Sequence, residues 1–111
     1  MTTPAIDGST FTELQETAGA DFVAELIATF LEEAPRMLAE LRRAQGAEAA
    51  DAFRRTAHSL KSNSHTFGAG RLAEMARELE LGGLAIGTAP LDALDAEYQR
   101  VARALTDLCR G

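Results

Sequence analysis

From Val23 to Leu108 apolar side chains return every three or four positions, with the small Ser64 taking one place in the series, and the longer interruptions fall where glycine appears. A spacing of three and four puts every such residue on one face of an α-helix, because 3.6 residues complete a turn. The chain must therefore bury several apolar helical stripes against one another. Composition agrees: hydrophobic residues make up 46% of the 111 residues but aromatics only 5%, and Ala and Leu outnumber the β-branched residues that strands collect. A length of 111 residues suits one domain.

The stripes divide as follows. Residues 1–9 read as an irregular lead-in, and Thr10 with Glu13 has the form of a capping box opening a short helix over Phe11–Ala18. After Gly19, Asp21 is placed to cap a long segment carrying Val23, Ile27, Phe30, Ala34, Met37, Leu38 and Leu41, which Gly46 ends. Pro35 falls inside it and predicts a kink or local break. A third helix is expected over Ala47–Phe67 from Ala50, Phe53, Ala57, Leu60, Ser64 and Phe67, with Gly68 and Gly70 closing it. A shorter fourth helix over Arg71–Leu81 turns Leu72, Met75, Ala76 and Leu79 inward, and Gly82-Gly83 stops it. A loop through Gly87 and Thr88 leads to Pro90, which suits a first helical turn, and then to the seam Leu91, Leu94, Tyr98, Val101, Leu105, Leu108. Four such helices on short connections predict an all-α, antiparallel four-helix bundle over residues 10–111, with the short N-terminal helix as a lid.

Charge narrows the function. Seventeen acidic against eleven basic residues give a net charge of −6, against the usual excess of nucleic-acid binders. No apolar run approaches the ~20 residues of a membrane span, and the start of the chain lacks the pattern of a secretory leader. A single cysteine, Cys109, excludes an internal disulfide and reads as an inert interior thiol at the end of the last seam. A soluble, cytoplasmic, monomeric protein is expected, with Met1 and the short length pointing to a free-standing chain. Within it, Ala52–Ala73 holds no Asp or Glu, yet contains Arg54, Arg55, Lys61, Arg71 and both histidines, His58 and His65.

On the third helix His58 projects roughly 140° from the core stripe, so it faces outward with Arg55 and Ser62, and Arg54 and Lys61 flank that face. Lys61 is the only lysine and stands one turn beyond His58, where the two side chains are neighbours. A neutral imidazole can accept a phosphoryl group on a ring nitrogen, and an ammonium is a mobile point charge suited to a phosphate that comes and goes. Ser59, Ser62 and Ser64 keep the surroundings small, with Ser64 on the core stripe. His58 and His65, seven residues apart, are too far apart for paired helical metal ligands. There is no Gly-rich phosphate loop, no Walker lysine, no kinase signature and no general base expected next to the nucleophile, so no ATP hydrolysis or self-phosphorylation is expected.

The string Ala57-His58-Ser59-Leu60-Lys61-Ser62-Asn63-Ser64-His65-Thr66-Phe67-Gly68 resembles the signature of histidine-containing phosphotransfer (HPt) domains, His-x-Leu-Lys-Gly-x-Ser followed shortly by Gly. Phe30-Leu31-Glu32-Glu33-Ala34-Pro35 and the Leu72–Glu80 segment are similar to that family's flanking helices, and the resemblance covers residues 21–108. It implies that His58 accepts a phosphoryl group and exchanges it with an aspartate of response-regulator receiver domains, while Lys61 stabilises the phosphoryl oxygens. A hybrid histidine kinase is a further possible partner, and Mg2+ is expected on the receiver, with no cofactor on this chain. Arg54, Arg55, Ser62 and His65 are the candidate docking residues, and Ser64, Gly68 and Glu80 the supporting ones. Ser62 stands where the family usually has glycine. Glu80 stands where some members carry a glutamine that bonds the histidine; a carboxylate there would orient the ring but oppose a phosphoryl charge. Two other readings stay open: a substrate domain of a histidine kinase, and a bundle that only binds a partner through the third helix.

Overall fold

The computed structural model describes residues 4–110. Five α-helices run in the order α1 (Gly8–Ala18), α2 (Ala20–Gly46), α3 (Ala50–Thr66), α4 (Gly70–Gly82) and α5 (Ala89–Arg110), with a 3-10 turn at Gly83–Ile86. Helices α2 to α5 pack each on the next, and α5 returns to α2, closing the bundle, while α1 lies against α2. The core is the predicted set of stripes: Val23, Ile27, Phe30, Ala34 and Leu41 meet Phe53, Ala57 and Leu60, then Leu72, Ala76 and Leu79, then Leu91, Leu94, Tyr98, Val101 and Leu105. Phe30 sits between Phe67 and Tyr98, with ring centroids 5.3 and 6.0 Å away in tilted arrangements that favour edge-to-face contact.

Several boundaries differ from the sequence reading. Helix α1 is capped by Asp7, whose carboxylate accepts from the Thr10 amide (3.2 Å) and hydroxyl (2.6 Å), so Thr10 lies inside the helix instead of opening it. Gly8 and Ser9 are helical, and Ile6 is buried in the core, so the lead-in is packed where it is described. Asp21 is not the cap of α2 but lies in its first turn; Gly19, at φ +92°, joins the two helices. Pro35 does not interrupt α2. Proline lacks the N–H that would bond the Leu31 carbonyl, and the Tyr98 hydroxyl takes that place from α5 with a long contact of 3.5 Å. Helix α3 starts at Ala50, not Ala47, because the chain first reverses through Glu48 in a left-handed conformation (φ 56°), with the Ala49 amide donating to Ala44 O at 2.8 Å. The expected loop after Gly82 contains the 3-10 turn, which packs Leu84 and Ile86 against the core.

Cys109 is exposed, contrary to the expectation of an interior thiol. Leu105 is the last buried residue of α5, and Leu108 is 41% exposed, so the seam outruns the surface that covers it. At the other end of α3, Gly68 turns the chain at φ +78°, and its carbonyl accepts from the Asp7 amide at 2.8 Å. A Cβ there would lie 3.0 Å from Thr10 Cβ and 3.1 Å from Asp7 O, so glycine is required both by conformation and by the docking of α1. The α3–α4 corner that ends the histidine helix is thereby fixed from outside the bundle.

Candidate functional site

Phe53, Ala57, Leu60 and Ser64 are fully buried and set the rotation of α3. Ser64 fits there because its hydroxyl donates to the Leu60 carbonyl one turn back, at 2.7 Å. With that face inward, His58 is turned out and its side chain is 58% exposed. Helices α3 and α4 approach each other most closely in the bundle, and both bury small residues, Ala57 and Ser64 on one and Ala73 and Ala76 on the other. Leu79 points inward on α4, and Glu80, about 100° further round, emerges on the flank that meets α3.

Glu80 joins the two residues singled out from the sequence. Its Oε2 lies 2.9 Å from His58 Nδ1, and its Oε1 accepts from Lys61 Nζ at 2.8 Å. The Lys61 ammonium, and after it the His58 ring, hold the Glu80 carboxyl below the usual glutamate range. An ionised carboxylate only accepts, so His58 must donate Nδ1–H to it. In its neutral form the ring then carries its lone pair on Nε2, the other nitrogen. Lys61 is less exposed than its flanking position implied: its side chain is 22% exposed, with the stem laid along the protein and the ammonium at Glu80.

The other predicted residues surround this triad unequally. Arg54, Arg55, Ser59, His58 and Glu80 line a shallow hollow of about 350 Å³. From Arg55 and Ser59 an open groove of about 530 Å³ continues between α2 and α3 past Glu33, Arg36, Met37 and Glu40. Arg54 also lies 4.0 Å from Asp51 of its own helix. Ser62 and His65 are exposed one and two turns along α3, while Ser64 and Gly68 are buried and serve the packing described above. Among the described residues no group of three or more His, Cys, Asp or Glu is placed to hold a metal ion. No described helix is long and apolar enough to cross a membrane.

The Hpt domain family model matches residues 25–104, which contain the whole of this triad. The chain belongs to the Hpt domain family. Among solved structures, this Hpt chain is similar to histidine-containing phosphotransfer protein B (HptB) from Pseudomonas aeruginosa PAO1, at 28% identity and a TM-score of 0.89, over 98% of this chain and 97% of that one. No curated protein matches the chain in sequence. Family and structure together make it a histidine phosphotransfer intermediate of phosphorelay signalling, built as the expected helical bundle.

What the sequence did not reveal is the bond from Glu80 to Lys61. The available signal was positional: Leu72, Ala76 and Leu79 inward leave Glu80 at the edge of the α4 stripe, where an acid can reach a neighbouring helix. Which neighbour, and which cation on it, depends on the packing of α3 against α4.

Proposed function

We propose that His58 is the phosphoacceptor and that it exchanges its phosphoryl group with an aspartate of response-regulator receiver domains. One observation carries this: the His58 side chain is exposed and its Nδ1 is committed to Glu80, so the nitrogen left to attack is Nε2. Attack of Nε2 on phosphorus forms the N–P bond as the P–O bond of an aspartyl phosphate breaks, and that electron pair leaves with the carboxylate. Lys61, one turn away, is near enough to neutralise the phosphoryl oxygens that arrive. The Arg54 and Arg55 rim favours an acidic partner surface, as the acceptor pocket of a receiver is. The chain itself contributes a nucleophile and cations, with the metal ion carried by the receiver and no kinase activity of its own. We place it in the cytoplasm, as a monomer that meets receivers and a hybrid histidine kinase in turn, with Ser62 and His65 at the edge of the docking face.

The test is to incubate the protein with a phosphorylated receiver domain and follow label onto wild type and His58→Gln. Label on wild type alone is expected. Equal label on both proteins removes His58 from the chemistry, and tight receiver binding without label supports a bundle that only binds.

A further inference from the structure

Helix α4 carries Glu80 on the side that meets α3 and a second concave surface on the other side. Arg71, Glu74, Met75 and Glu78 recur at spacings of three and four along the side that faces α5, and with Pro90 and Ala93 of α5 they enclose a hollow of about 420 Å³. Small residues bring α4 close to α3, while its packing on α5 is looser and leaves the hollow open. Half-buried Met75 and Pro90 give it an apolar floor. Glu78 and Glu80, two residues apart, stand ~200° apart around the helix, so the hollow and the His58 site lie on opposite sides of α4.

We propose that this hollow is a docking site for a basic amphipathic helix of a partner protein, occupied independently of phosphoryl transfer at His58. Charge selects the occupant. Glu74 and Glu78 are exposed on the rim and form no ion pair among the described residues, in a chain of net charge −6. Arg71, the cation of the hollow, is drawn instead toward buried Glu97, 3.8 Å away on α5. The two carboxylates stand one turn apart, ~6 Å of helix rise, and so match two Lys or Arg side chains three or four residues apart on a partner helix. The apolar side of such a helix lies over Met75 and Pro90, as in other grooves that take a helix. Leu81 extends the same α4 stripe, three residues beyond Glu78 and seven beyond Glu74, and is 70% exposed. An apolar side chain further along the partner covers it. Arg77 lies outside this stripe, on the edge toward Glu80.

The probe is a synthetic amphipathic peptide of Ala, Leu and Lys, with lysines three and four residues apart, titrated into the whole unphosphorylated, 15N-labelled chain and followed by amide NMR. Shifts are expected at Arg71, Glu74, Met75, Glu78, Leu81 and Ala93, and not around His58. Affinity should fall about tenfold when Glu74→Lys and Glu78→Lys are combined, with a thermal melt to confirm folding, and binding should vanish when glutamates replace the peptide's lysines. Phosphoryl transfer from a receiver should be unchanged in that double variant. No binding, binding elsewhere, or equal binding by the double variant overturns the docking site. So do shifts of the same amides on raising protein concentration without peptide, which would make a second copy of the chain the occupant. Slower transfer in the double variant would place the hollow within the receiver's footprint and overturn its independence. Because peptide binding is read without phosphate, its failure leaves His58 as the acceptor, and failure of His58 to take label leaves the docking site standing.

Discussion

Two glutamates in this bundle each face two nitrogen-bearing side chains from elsewhere in the fold or their own helix, and only one of them faces groups that can change charge or move away. Glu80 is 24% exposed, and each of its oxygens has a partner, Lys61 and His58. Glu97 sits on the inward side of α5 at 5% exposure; Oε1 accepts from Arg100 at 2.8 Å and lies 3.8 Å from Arg71, while Oε2 has no hydrogen-bond partner among the described residues. Guanidinium groups stay charged and hold a fixed fork, whereas an imidazole can change its charge and an ammonium can leave. Glu97 therefore has partners that can only hold it in place, at the expense of desolvating a carboxylate. Glu80 has partners that can change state, on a face a second protein can reach.

That contrast can be broken by substitution. The largest effect is expected from Lys61→Ala, which should slow transfer from a phosphorylated receiver by roughly 10- to 100-fold through loss of the phosphoryl-facing cation, while thermal melting barely moves. Collapse of the melting temperature instead would mean that Lys61 is a structural residue of the α3–α4 seam. Next, Glu80→Gln should slow transfer several-fold, because a neutral amide holds the Nδ1–H tautomer less firmly than a carboxylate, again with little change in melting; unchanged transfer would reduce Glu80 to a spacer. Glu97→Met reverses the pattern. Replacing a buried, half-satisfied carboxylate by an apolar side chain of similar size should leave stability unchanged or raise it by about 1 kcal/mol, and Arg71 and Arg100 can turn to water. Label-transfer rates should match wild type, and a slower rate would tie Glu97 to the site.

The smallest effect is on acid titration. The lowered Glu80 carboxyl should titrate, by 13C NMR, below the ordinary glutamate value of about 4.3, and Lys61→Ala should bring it up further than His58→Gln does, since the ammonium is the larger cause. Because the folded-state value is the depressed one, any stability from this pairing is complete above the ordinary value and is lost only as pH falls through the lowered one. The part of the melting difference between wild type and Glu80→Gln that comes from the lowered Glu80 carboxyl should accordingly shrink as pH falls below about pH 4.

The helices and their inward faces were legible because burial of Phe53, Leu60, Leu79 or Leu94 follows a period that the sequence displays. The exposed placement of His58 followed from the same geometry. What failed were features decided by a neighbour. Helix α2 runs through Pro35 with Tyr98 of α5 at the carbonyl the proline leaves open, Asp7 rather than Thr10 caps α1, and the bundle stops short of Cys109. The acid-free window of α3 failed in the same way: Ala52–Ala73 lacks acids along the chain, but α4 places Glu80 between its histidine and its lysine. Periodicity reports which face of a helix is buried, and not which residue of the next helix completes a site.

The central claim is that Nδ1 of His58 belongs to Glu80, and Nε2 to the phosphoryl group. It is tested most directly by 31P–15N coupling in the phosphorylated, histidine-labelled protein. The geometry predicts phosphorus on Nε2 of His58, with Nδ1 still protonated and His65 unmodified. Phosphorus on Nδ1, or on His65, would contradict it.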